Sequence, residues 1–183
     1  MAMASPLTRF AWPLAAIAAA AFLVGLALHG ERPEPGLVRF VAAGLMTGIA
    51  PDLANDVEIV TVDGTWRFRK QAAWEEVVAA RPAPAGVANR IDTALRLLRD
   101  SGPARVLSPE EVAGVASADY GLGRGAMQVT VRSAAGATFI VRFGGPNPLG
   151  LGRYAQVEGM SGIPILPGFV ADAWEQVVRG SPG

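Results

Sequence analysis

Residues 57–69 read Val-Glu-Ile-Val-Thr-Val-Asp-Gly-Thr-Trp-Arg-Phe-Arg. The first six are β-branched but for Glu58, and Thr65-Trp66-Arg67-Phe68-Arg69 alternates polar with aromatic residues, the period of a strand with one buried face. Between them stands Asp63-Gly64, a pair that suits the positive φ values of a two-residue type I′ turn. The stretch predicts a β-hairpin, the strongest local structural signal in the chain.

Towards the C-terminus the same period recurs. Met127 to Arg132 alternates, Ala134-Ala135-Gly136 turns, and Thr138 to Phe143 continues as its partner. A Gly/Pro-rich loop from Gly144 to Gly152 leads to Arg153-Tyr154-Ala155-Gln156-Val157, and Ile163 to Leu166 reads as a last short strand. Helical spacing appears at Val87, Ile91, Ala94, Leu95 and Leu98, an i, i+4, i+7, i+8 stripe stopped by Ser101-Gly102-Pro103. Ser108-Pro109-Glu110-Glu111 has the form of a capping box with proline at the first helical position, and predicts a short helix ending near Ala116. Pro167-Gly168 precedes a final helix, with Phe169, Ala173, Trp174 and Val177 on one face. Residues 71–80 read as a short helical or irregular stretch, and 37–43 and 104–107 as extended. The order of elements predicts an α+β domain with an antiparallel hairpin and meander and two or three helices.

Upstream lies Phe10 to Leu28, FAWPLAAIAAAAFLVGLAL, nineteen residues without a charge. A helix of that length spans roughly 28 Å, close to the hydrocarbon thickness of a bilayer. Pro13 falls in its first turn, where no N–H is needed, and Trp12 at headgroup level. The run is longer than a signal-peptide core and lacks a small-x-small cleavage site after it, so it predicts a retained single-pass transmembrane anchor, with export and cleavage the competing reading. Arg9 before the run places the N-terminus inside. The expected organisation is a cytoplasmic tail over 1–9, an anchor over 10–28, a proline-stiffened linker over 29–36 and a periplasmic domain over 37–183 of a bacterial inner-membrane protein. Ala18, Ala21 and Gly25 offer small side chains for close helix contact within the membrane.

Composition excludes several chemistries. Cysteine is absent, which removes disulfides, thiolate catalysis and Cys-ligated metal centres. The single histidine, His29, rules out a Ser-His-Asp triad or a multi-histidine metal site within the chain. Sixteen acidic and sixteen basic residues balance, giving no electrostatic case for nucleic acid. The densest oxygen cluster, Asp52, Asn55, Asp56 and Glu58, lacks the spacing of an EF-hand loop. Glu75-Glu76 and Glu110-Glu111 are adjacent pairs that cannot both face one way on a helix. No catalytic residue, metal ligand or cofactor is therefore expected.

Two motifs carry a resemblance. Asp119-Tyr120-Gly121-Leu122 precedes a strand pair, and Phe143-Gly144-Gly145-Pro146-Asn147-Pro148-Leu149-Gly150 precedes Tyr154-Ala155. In this order, behind the Trp66 hairpin and the 91–98 helix, residues 55–178 resemble the bacterial family catalogued as domain of unknown function 4340. The resemblance implies a periplasmic domain on one N-terminal helix, some members occurring with ABC-type transport systems; it implies no catalytic residues.

The reading is of a non-catalytic accessory subunit, anchored in the bilayer, that binds or positions another membrane or envelope protein. Asn147, Arg153, Tyr154 and Trp174 are the candidate partner or ligand surface. The alternative is a small-ligand or enzymatic domain built on the Gly144–Gly152 loop, whose glycines would allow close backbone approach to an anion.

Overall fold

The hairpin forms, with its turn one residue earlier than its Asp-Gly pair suggests. In a computed structural model that describes residues 19–24 and 44–181, strand β1 (Ala54–Thr61) pairs antiparallel with β2 (Gly64–Lys70), Thr61 opposite Gly64. Val62 and Asp63 make the turn, and the Asp63 N–H donates to Thr61 Oγ1 at 3.1 Å. Neither has positive φ, so the type I′ expectation is corrected: a local hydroxyl bond replaces the left-handed turn.

From this hairpin the sheet grows outward on both sides. On one side follow β3 (Trp74–Glu76) and β4 (Arg81–Pro82); on the other β6 (Met127–Ser133), β7 (Thr138–Pro146), β8 (Gly152–Val157), β9 (Ile163–Pro167) and β5 (Arg105–Leu107). The order is β4-β3-β2-β1-β6-β7-β8-β9-β5, one nine-stranded sheet with every pair antiparallel. Both edge strands are only two or three residues long and one contains Pro82, which blunts further pairing.

Two long helices, α1 (Ala85–Asp100) and α2 (Gly168–Gly180), pack against each other and on one face of the sheet. Val87, Ile91, Ala94, Leu95 and Leu98 line the buried stripe of α1 and meet Val57, Ile59, Phe68, Val129 and Val141 in one core. Each such side chain contributes roughly 1.5–3 kcal/mol on burial. Leu45, Met46 and Ile49 join the same core, and the Met46 N–H donates to the Leu98 carbonyl at 3.2 Å. In α2 the buried positions are Val170, Ala171, Trp174 and Val177. The helix is turned from the expected face about its Trp174–Val177 axis, which leaves Phe169 53% exposed.

The expected α+β domain behind a transmembrane helix is corrected: the described fold is a mostly antiparallel β-sheet domain. Within the stretch expected to be short helical or irregular, Trp74–Glu76 enters the sheet as β3, and the turn after it leads to β4. The capping box at Ser108 does form, with the Ser108 N–H on Glu111 Oε2 at 2.8 Å and the Glu111 N–H on Ser108 Oγ at 3.4 Å. No helix propagates from it. The chain makes successive turns and reaches a left-handed Gly114, φ 82°, so 108–116 is turn structure.

The chain divides between Phe40 and Val41. Of the 10–28 run only residues 19–24 are described, and these six are helical. Residues 10–18 and 25–28 lie outside the described residues, as do the expected strand over 37–43 and the linker. Among the described residues no helix is long and apolar enough to cross a membrane. That finding corrects the membrane-anchor, single-pass and inner-membrane expectations. For the proposed intramembrane contact, Ala18 and Gly25 fall outside the described residues, and Ala21, which is helical, is exposed.

Candidate functional site

The loop between β7 and β8 is built by its own sequence. At Gly144-Gly145 the β7–β8 register shifts, and Pro146 comes opposite Arg153. Asn147 then closes the loop. Its side-chain Oδ1 accepts the N–H groups of Leu151 and Gly152, each at 3.1 Å, its own N–H donates to the Gly152 carbonyl at 2.7 Å, and its carbonyl accepts from Gly150 at 2.8 Å. Gly150 takes φ 68°, where a Cβ is disfavoured. The amides of Asn147, Gly150, Leu151 and Gly152 are thus all donated inside the loop. In place of the anion cradle of the alternative reading, these residues form a self-closed turn between two strands.

This closure fixes what the loop displays. Leu149 and Leu151 are 77% and 78% exposed. Gly152 pairs with Pro167 at the end of β9, which brings Leu151 to the start of α2, where Phe169 is exposed. Three large apolar side chains therefore stand at one corner of the sheet.

Arg153 stands beside them as a strut. Its Nε donates to the Gly144 carbonyl at 3.2 Å and its Nη1 to Glu175 on α2, with Asp172 at 3.9 Å. Arg179 holds the other Glu175 oxygen at 2.7 Å. Of the other expected surface residues, Tyr154 is half-buried, its ring edge-on to Tyr120 at 5.0 Å. Trp174 is completely buried, and its indole Nε1 has no hydrogen-bond partner. The structure brings the expected Asn147 and Arg153 to the corner but buries Trp174, so the expectation of Trp174 at a partner surface is corrected, and the sequence reading passes over Leu149, Leu151 and Phe169. Two leucines in a loop otherwise made of Gly, Pro and Asn are the signal that marks it.

Of the oxygen cluster, Asp56 and Glu58 enter structural ion pairs. Asp56, on the sheet face away from the helices, accepts from Arg67 through Nε (3.2 Å) and Nη2 (3.1 Å) and from Arg132 Nη1 (2.8 Å), with Arg69 at 3.8 Å. Glu58 lies 3.5 Å from Arg132. Among the described residues no group of three or more His, Cys, Asp or Glu side chains could hold a metal ion. Asp92 on α1 accepts from Trp74 Nε1 at 2.9 Å and Lys70 Nζ at 3.2 Å, tying α1 to the β2–β3 edge. Glu110 has its carboxyl held below the usual range by the Ser108 hydroxyl and its own backbone N–H.

Compared with protein-family models, with curated proteins and with solved structures, the chain matches none of them. The resemblance drawn from the YGL and FGG motifs thus stands on those motifs alone. Their physical content is visible: a Cβ on Gly144 would overlap the Tyr120 carbonyl oxygen, and one on Gly121 the Gly145 nitrogen. The two motifs meet because only glycine admits that approach.

Proposed function

We propose that the domain is a non-catalytic protein-binding module that docks a partner through the Leu149, Leu151 and Phe169 corner. The observation that carries this reading is the exposure of three large apolar side chains at a loop that Asn147 holds closed. Such a loop presents its leucines with little ordering left to do on binding, which favours recognition. Burying three such side chains yields roughly 5–9 kcal/mol gross, within the estimated association penalty of about 4–15 kcal/mol. The corner therefore acts as the centre of a wider contact. The ion-paired Arg153, Asp172, Glu175 and Arg179 supply the polar rim.

The test is affinity isolation with the full-length protein against its L149D/L151D variant. The reading predicts a stoichiometric protein partner with the wild type and a loss of about tenfold or more in the variant, the two having equal thermal stability because both leucines are exposed. Equal recovery of every associated protein by the two forms would overturn it.

A further inference from the structure

The face of the sheet away from the helices carries arginines of two kinds. Arg67, Arg69 and Arg132 lie against Asp56. Arg142, in β7, has no ion-pair partner among the described residues. Its Nε donates to Gln128 Oε1 at 2.9 Å, and cross-strand pairing sets Gln128 on β6 and Gln156 on β8 on either side of it. This bond engages the Nε edge of the exposed guanidinium, while Nη1 and Nη2 donate to no described residue. This head lines a concavity of about 350 Å³ with Ile140, Gln156, Glu158 and Met160 among its walls.

A guanidinium engaged at Nε with both terminal nitrogens open matches a carboxylate in a bidentate pair. Glu158 offsets the charge of Arg142 in the same concavity, which disfavours a polyanion and suits a single carboxylate with apolar company for Ile140 and Met160. The concavity is shallow, whereas small-molecule sites enclose most of their ligand; a side chain projecting from a larger surface fits it better. We propose that the Arg142 concavity receives an acidic side chain of a protein partner, its carboxylate on the guanidinium between Gln128 and Gln156. The inference rests on the protein-binding reading and adds the chemistry of the partner.

The experiment titrates ¹⁵N-labelled full-length protein with a capped peptide of alternating leucine and glutamate, and with the same peptide carrying glutamine for glutamate. Saturable shifts are expected at 140–142 and 156–160, at least fivefold weaker with the glutamine peptide, lost in R142Q and kept in R69Q. The spectra themselves report that each variant is folded. Equal response to both peptides, persistence in R142Q, equal loss in R69Q, or no saturable shift at millimolar peptide would overturn the proposal. Failure here with the L149D/L151D loss intact removes the acidic docking alone; failure of both removes the protein-binding reading as well.

Discussion

Asp56 shows how one carboxylate organises a sheet face. Its side chain is 10% exposed and lies within 4 Å of three guanidinium groups from two neighbouring strands. Removing it leaves those cations facing one another, yet they are roughly two-fifths or more exposed and can turn to water, which lessens the penalty of a broken buried pair. Asp56→Ala is expected to cost about 2 kcal/mol in urea denaturation, and Asp56→Asn, which keeps an acceptor, less. The two buried tryptophans form a second comparison. Trp74 donates to Asp92, whereas the Trp174 Nε1 has no partner. Replacing either by phenylalanine removes similar volume, but only Trp74→Phe breaks a hydrogen bond, worth about 1 kcal/mol. Trp174→Phe is therefore expected to be the less destabilising of the two when midpoints are compared.

Elements meet where glycine lets them. The Tyr120-Gly121-Leu122 segment lies on Gly144-Gly145 with Leu122 buried, backbone against backbone. Gly144→Ala would drive a Cβ into the Tyr120 carbonyl, and is expected to lower stability by about 2 kcal/mol, seen as a lower Tm with faster amide exchange through 117–126. Both motifs are plain in the sequence, yet their contact joins residues more than twenty apart, which local pattern does not encode. Local signals serve better where the element is local: the 57–69 hairpin and the Val87–Leu98 stripe are legible because period and turn residues agree. At Ser108 the capping residues make their bonds and the following turns still reach Gly114 in a left-handed conformation. A start signal alone does not decide length. In α2 the sequence sets Phe169, Ala173, Trp174 and Val177 on one face, whereas core packing buries Trp174 and Val177 together with Val170 and Ala171.

Across the whole molecule, one sheet unites two meanders that sequence reading treats apart. Its junction is β1 against β6, and its register sets Asp56 opposite Arg132, 76 residues away. Such a pairing is a long-range choice among strands of similar pattern, so the hairpin and the 127–143 strand pair were legible and their union was not. For the N-terminal apolar run composition alone implied a membrane span, whereas among the described residues no helix is long and apolar enough for one. The candidate site was half legible for a related reason. Asn147 and Arg153 stand out by type, whereas the exposure of Leu149, Leu151 and Phe169 depends on loop closure and helix rotation. The central claim is that this corner meets a protein. Its most direct measurement places a photo-crosslinking residue in turn at Leu149, at Leu151 and at Val78, which is equally exposed in the β3–β4 turn at the far edge of the sheet. The account predicts one discrete crosslinked protein from positions 149 and 151 and none from 78; crosslinking that is absent at all three positions, or the same at all three, would contradict it.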